Sequence, residues 1–394
     1  MALKSAVIVS AVRTPLGSFG GSLAGMTAPQ LGSVAIRAAL ERAGVAGGDV
    51  DECFMGNVLQ AGQGQAPARQ AALGAGLSNK VPCTTVNKVC ASGMKAAMFA
   101  AQSVMLGHQK CIVAGGFESM SNVPYYLPKQ RQGLRMGHGE VVDGLIYDGL
   151  WDPYDNHHMG NAGEHCARTR SISREDQDEF AVSSYHRASE AHAKGYFKDE
   201  IVPVSIPQRR GDPKVVSADE EVDKFNESKF RALRPAFQKD GTITAGNASK
   251  INDGAAALVV MAEDEALARG LNPVARIVSF ADAAMAPIDF TIAPASAVQR
   301  ALARANLSVK DISFWETNEA FSVVALANSQ ILGISNDIVN VHGGAVALGH
   351  PIGCSGARII TTLINVLRTH GGQYGVASIC NGGGGASAIV IEKM

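Results

Sequence analysis

Nowhere in this chain do about 18 apolar residues run together, so no membrane span is expected. Positive charge is not in excess either. Lys and Arg number 35 against 36 Asp and Glu, a formal net charge of -1, which excludes a globally basic nucleic-acid binder. Cysteine is present seven times, but the number is odd, the spacing irregular, and no pair stands as CxxC. A disulfide framework is therefore not expected, a zinc site is disfavoured, and a reducing compartment is the default. The adjacent His157 and His158 lack metal-site spacing and carboxylate partners. GQGQ (62–65) is no GxGxxG fingerprint, Ser92 lies in no GxSxG elbow, and the glycine run at 382–385 lacks the Lys and Ser/Thr of a P-loop. No leader is expected ahead of MALKSAVIVSAVRTP (1–15), which runs at once into a strand-like segment. Glu392, Lys393 and Met394 are not a peroxisomal address. The expectation is a protein that stays where it is made, or a processed form of one.

What remains is an ordinary globular composition, 46% apolar and 18% charged over 394 residues, too long for a single core. Glycine, at 43 residues, is in excess and is concentrated in a few segments, which suggests tight turns and close backbone approach to a ligand. The chain also repeats itself. AALERAGVAGGDVDECF (38–54) aligns with RALARANLSVKDISFWE (300–316), so that Ala39, Leu40, Arg42 and Asp49 fall on Ala301, Leu302, Arg304 and Asp311. AVIVSA (6–11) resembles ARIVSF (275–280), and CASG (90–93) resembles CSG (354–356). Strand, amphipathic helix, strand, reactive turn and helix thus occur twice in one order, which predicts two α/β halves. Between them the texture changes. The segment 121–140 reads as an excursion from the core, and 209–229 as a polar loop. The segment 173–195 reads as a helix capped by Ser173, with Glu175 and Asp176 in its first turn. The expected organisation is 1–120 as the first half, 121–250 as a loop domain over the active site, and 251–394 as the second half.

Three glycine-flanked segments carry chemistry: VNKVCASGMKAA (86–97), GGAVALGHPIGCSGAR (343–358) and ICNGGGGASA (379–388). They offer Cys90, His350 and Cys380, two thiols and an imidazole, a set suited to carbon–carbon bond chemistry through a thioester. Cys90 stands at a predicted strand-to-helix turn, where the helix dipole favours a thiolate and a backbone N–H can face an oxyanion. The same residue also reads as a buried, inert cysteine, and local sequence leaves both open. His350, held between Gly349 and Pro351, is open in the same way. Asn318 in ETNEAF reads equally as a core amide or a polarising donor.

Taken jointly, VNKVCASGMKA, NEAF, GHPIG and CNGGGGASA resemble the thiolase family, and the likeness runs from SAVRTPLGSF (10–19) to the last strand. The resemblance implies an α/β fold, a duplicated αβαβα layered core with an inserted loop domain. It implies Cys90 as the acyl-accepting nucleophile, His350 as its activator, and Cys380 as the acid/base that removes the α-proton of the second acyl group. Asn318 would hold a water that completes one oxyanion hole with His350. The N–H groups of Cys90 and Gly382 would form the second. The implied reaction is a ping-pong Claisen condensation of two acetyl-CoA to acetoacetyl-CoA and CoA, or its reversal by thiolysis.

Finer likenesses favour the short-chain branch. HMG (158–160) resembles the segment contacting the pantetheine, which brings in His158 and Met159. TAGNAS (244–249) resembles the turn that places Ser249 on coenzyme A. Lys224 and Lys229 fall where the family's basic side chains meet the nucleotide end, and the resemblance adds Tyr185, Phe225 and Asn226 as contacts of coenzyme A. Coenzyme A enters as substrate and product, with no tightly bound cofactor. FADAAMAPIDF (280–290) is similar to the mitochondrial, potassium-activated members. That likeness implies potassium as an activator, held by Tyr185, by the carbonyls of Ala245, Gly246 and Ala248, and by Val346. It makes Phe290 a mark of 2-methylacetoacetyl-CoA thiolysis, and it implies a mitochondrial matrix location with the cytoplasm as the alternative. The excursion 121–140 resembles a tetramerisation loop. His342 and Phe117 depart from the family's pattern.

Overall fold

The computed structural model describes residues 3–394. Nine strands form the body of one sheet: β1 (Ala6–Arg13), β2 (Glu52–Gly56), β3 (Cys83–Val86), β4 (Cys111–Ser119), β5 (Asn252–Ala262), β6 (Ala275–Ala284), β7 (Ile312–Thr317), β8 (Tyr374–Asn381) and β9 (Gly385–Lys393). Their order is β7-β8-β9-β6-β1-β5-β4-β2-β3, and the short Gly17–Ser18 pairs with β5. The sheet is a duplication. The first half reads β3-β2-β4-β5-β1, and the second repeats it as β7-β8-β9-β6. The counterpart of β3 is reduced to one parallel bridge from Trp315 to Val339. The halves join where β1 meets β6, antiparallel, at Ala6–Ile277, Val7–Arg276 and Ile8–Ala275. Strand β5 begins just past the 250/251 division expected from sequence and pairs with β1 and β4, so it completes the sheet of the first half.

Helices α1 (Ala28–Ala43), α2 (Pro67–Gly74), α3 (Ser92–Met105), α4 (Met159–Arg170), α5 (Arg174–Ala193), α6 (Ala293–Ala305), α7 (Ser322–Leu332) and α8 (Ile352–His370) cover it. Alternation along the strands sets the layers. In β1, Val7 faces a core shared with Leu31, Ala35 and Ile36 of α1. Ala6 and Ile8 face a second core, shared with α3 and α8, with Ala377 and Ile379 of β8, and with Ile389 of β9. The opposite face of the second half packs on Ala297, Val298, Ala301 and Leu302 of α6. The result is five layers, helix, sheet, helix, sheet, helix, with α3 and α8 in the middle.

The repeated glycines set how closely that middle layer packs. A Cβ on Gly93 would lie 2.9 Å from the backbone nitrogen of Ala357, and one on Gly356 would lie 2.3 Å from that of Met94. The contact is reciprocal, as the aligned CASG and CSG segments require of a duplicated fold.

The segment between β4 and β5 is anchored to the core through Arg13 at the end of β1. Its buried guanidinium forks onto Asp219 (Nη1–Oδ1 2.7 Å, Nη2–Oδ2 2.9 Å) and bonds Glu200. Glu200 also accepts from Thr362 and Asn365 of α8, and Asp219 is held well below the usual carboxylate range despite its burial. Ser173 caps α5 through a reciprocal bond with Asp176, as expected from sequence. Phe117 is fully buried, and Gly32 leaves it room: a Cβ there would meet its ring at 2.5 Å.

Replacing Gly356 by Ala is expected to destabilise the fold by about 1–3 kcal/mol, because backbone cannot move aside as a flexible side chain can. Chemical denaturation would show a lowered midpoint for Gly356→Ala, and an unchanged midpoint would refute the close-approach account.

Candidate active site

Cys90 lies in the turn between β3 and α3, two residues before the helix begins. The preceding Val89 has φ 47°, a left-handed conformation that is strained for a β-branched residue. Ser92 holds the turn, donating to the Val89 carbonyl at 2.6 Å and accepting from the Lys88 N–H at 2.8 Å. Packing pushes the Cys90 thiol up to about 12, while the N–H groups of Gly382 and of Cys90 itself pull it back down. Desolvation thus opposes the thiolate that the helix start favours. Cys380, at the end of β8, is fully buried, and burial together with the nearby Cys90 raises it further.

His350 precedes α8 as Cys90 precedes α3. Its backbone N–H donates to Asn252 Oδ1 (3.2 Å) and to the Lys250 carbonyl (3.1 Å). Gly349 beside it has φ 117°, and a Cβ there would fall 2.2 Å from Asn252 Oδ1, so only glycine fits. The ring meets Ser355 Oγ through Nδ1 at 2.6 Å, and Asn318 Nδ2 through Nε2 at 3.4 Å. Ser355 donates its own proton to the Pro351 carbonyl (3.0 Å). It therefore accepts from Nδ1–H, which leaves Nε2 unprotonated, its lone pair facing the Asn318 amide. Burial holds the imidazole down to about 3, so it is neutral at physiological pH. Asn318 Oδ1 is buried without a protein partner among the described residues.

Glu118 ties the loop after β2 to the start of α8. It accepts from Asn57 Nδ2 (2.6 Å), from the N–H groups of Val58 and Leu59, and from the N–H of Gly353 at the start of α8 (2.9 Å). Sequence reasoning missed Glu118, Asn252 and Ser355. Only Ser355 carried a signal, as the partner of Ser92 in the repeat.

A cavity of about 440 Å³ ends at His350 and is lined by His158, Met159, Lys224 and Ser249 among the expected residues. Phe237, which sequence reasoning did not single out, lines it too and stacks on His158 at 4.7 Å. A second cavity of about 490 Å³ lies across Met159, bordered by Val89, Gly382 and Gly383. The other expected contacts lie outside both. Phe225 stacks on Tyr185 at 4.3 Å, Asn226 caps the short helix Glu227–Arg231, and Lys229 sits on that helix at the surface.

Two expectations are corrected. His157 does have carboxylate neighbours, Asp152 and Asp155, although Asp152 already caps the turn at Tyr154 and Asp155. The residues implied for potassium do not fit a free ion. Lys250 Nζ donates to the carbonyls of Ala245 (2.6 Å), Ala248 (3.0 Å) and Gly246 (3.4 Å) and lies 5.7 Å from the centre of the Tyr185 ring. Val346 is buried in the same apolar cluster as Tyr185.

Comparison with known proteins agrees with this architecture. Residues 6–264 match the family model of the thiolase N-terminal domain, and residues 271–393 that of the thiolase C-terminal domain. Acetyl-CoA acetyltransferase 1 of Arabidopsis thaliana is 56% identical over 389 residues, 98% of this chain and 94% of its own. The mitochondrial acetyl-CoA acetyltransferase of Xenopus tropicalis is 56% identical over 393 residues, 100% of this chain and 93% of its own. A cytosolic one from Gibberella zeae is 55% identical over 388 residues, 98% of each. The crystal structure of a thiolase from Ascaris suum in complex with coenzyme A superposes with a TM-score of 0.95 at 44% identity, covering 99% of this chain and 100% of that one.

The neutral, buried His350 has a signature in stability. Unfolded, it protonates near 6.5; folded, near 3. Between these values the unfolded state binds the extra proton, so stability falls as pH falls, by at most about 1.4 kcal/mol per unit. Urea midpoints from pH 6.5 to 5 should therefore fall less steeply for His350→Gln than for the wild type. Equal slopes would mean that the imidazole is not held neutral.

Proposed function

The chain belongs to the thiolase family, and from that premise we propose that it is an acetyl-CoA C-acetyltransferase. It joins two acetyl-CoA into acetoacetyl-CoA and CoA, and cleaves acetoacetyl-CoA in reverse. The observation that carries this reading is that the turn of Cys90 and Gly382, just after Cys380, border one cavity, in a chain similar to acetyl-CoA acetyltransferases over its whole length.

Cys90 accepts the acetyl group. Its sulfur attacks the thioester carbon of acetyl-CoA, the new carbon–sulfur bond forms, the bond to the CoA sulfur breaks, and CoA leaves as the thiol. His350, neutral and unprotonated at Nε2, takes the Cys90 proton as the attack proceeds and returns it to the departing CoA sulfur. A neutral pair suits this role, since the proton moves only when substrate is present. Cys380, once His350 has taken its proton, removes the α-proton of a second acetyl-CoA as a thiolate. The carbanion attacks the acetyl carbon on Cys90, a carbon–carbon bond forms, the bond to the Cys90 sulfur breaks, and that sulfur takes up the proton held by His350. The N–H groups of Cys90 and Gly382 are directed at the Cys90 sulfur, which supports their role as donors to the oxyanion on the acetyl group. The unpartnered Asn318 Oδ1 beside His350 supports a bound water that completes the other oxyanion hole. The cavity that ends at His350 takes the pantetheine arm past Met159 and Ser249, with Lys224 toward the nucleotide.

We extend the reading to three finer points. Phe290 packs with Cys380 in one apolar cluster, which supports 2-methylacetoacetyl-CoA as a further thiolysis substrate. Leu127, Leu134, Met136 and Val141 are exposed on the excursion after β4, which supports its role as the arm of a homotetramer. The loop domain at 121–250 lies over the site, with its last turn, 244–249, forming a wall of the cavity.

Thiolysis of acetoacetyl-CoA should fall below about one thousandth of wild type in Cys90→Ala. Cys380→Ser should still take up one acetyl group on Cys90 from acetyl-CoA, seen by intact mass, yet fail to condense. Hydrolysis of acetyl-CoA without transfer would replace the thiolase reading with that of a cysteine hydrolase.

A further inference from the structure

Lys250 stands between the loop that walls the cavity and the histidine at its end. Its carbonyl accepts the His350 N–H at 3.1 Å. Its side chain turns back so that Nζ meets the carbonyls of Ala245, Gly246 and Ala248. An ammonium has three donors and no acceptor, and here three backbone carbonyls of one tight loop surround it. Among the described residues it forms no ion pair with a carboxylate. Carbonyl dipoles converging on a single positive charge are the surroundings in which a dehydrated monovalent cation is held. The aromatic face of Tyr185 lies on the far side, and Phe225 stacks behind it. The loop so gathered carries Ser249, whose N–H bonds the Ala320 carbonyl of the NEAF turn at 3.0 Å. Ala245, Ala248, Ser249 and Lys250 all face the cavity.

We propose that Lys250 is a built-in monovalent cation. Its ammonium takes the place of a potassium ion, fixes the 245–249 loop from within the chain, and makes acyl-CoA binding independent of added cation. Lys250 is a positioning residue: it acts through the loop and through His350, and takes no part in bond making. The part that concerns acyl-CoA rests on the function proposed above, whereas the part that concerns the loop does not.

Thermal unfolding in potassium chloride and in choline chloride at equal ionic strength tests the loop directly. The wild type should have the same midpoint in both salts. Lys250→Met, which keeps the length and loses the charge, should have a lower midpoint in choline, and potassium should raise it in a saturable way, as a ligand of the folded state does. In thiolysis of acetoacetyl-CoA, the variant's KM should rise about tenfold in choline and return toward wild type with potassium, while kcat changes less. A saturable response of the wild type to potassium, in midpoint or in KM, would overturn the proposal. So would a Lys250→Met variant matching the wild type in choline, or one that potassium does not restore. The wild-type arm needs no variant to fold, and the unfolding arm decides even if no thiolysis is seen.

Discussion

The contact on which the rest depends is backbone against backbone, where α3 and α8 begin. Gly93 and Gly356 let these two helix starts approach until a Cβ on either would touch the other's backbone. Gly116 on β4 extends the same seam, since a Cβ there would fall 2.0 Å from the Gly353 carbonyl. Because Cys90 and His350 stand just ahead of those helices, the packing distance of the middle layer is also the spacing of the reactive groups. A larger residue at any of these points would separate the halves and the chemistry together.

Burial then decides the charge states. Cys90, Cys380 and His350 are all pushed toward their neutral forms, because a group removed from water loses the hydration that favours its ion. Hydrogen bonds give direction in place of charge. Ser355 fixes one face of the imidazole, Asn252 and the Lys250 carbonyl fix its backbone, and Glu118 ties the loop after β2 to the start of α8. Proton movement is thus left to coincide with substrate chemistry.

The inserted segment is held by electrostatics of a different kind. Arg13 is fully buried, but its guanidinium is saturated by Asp219 and Glu200, and a buried charge is tolerable only when paired and hydrogen-bonded. Removing one partner would leave the others uncompensated. Glu220 on the Ser18 N–H and Lys224 on the Ser18 hydroxyl add further ties between the segment and the core.

The sequence by itself determined the duplication and the layered α/β class, and it singled out Cys90, His350 and Cys380 as candidates. Apolar periodicity and a repeated motif survive in one dimension: the near-constant offset that aligns Ala39 with Ala301 and, one residue longer, Gly93 with Gly356 is written in residue order. It also determined Ser173 as a cap, because capping is local. Only the tertiary structure decided the protonation states, since desolvation depends on neighbours from distant strands. It alone recruited Asn252, Glu118 and Ser355, whose partners lie far along the chain or across a turn. The ends of the binding residues diverged for the same reason. Lys224 reaches the cavity while Phe225 and Asn226, adjacent in sequence, turn to Tyr185 and to a helix start. Lys250 is the clearest case. In sequence it is one more lysine in a polar turn, and only the folding of the loop around its ammonium shows that the carbonyls expected to hold an ion already hold a charge.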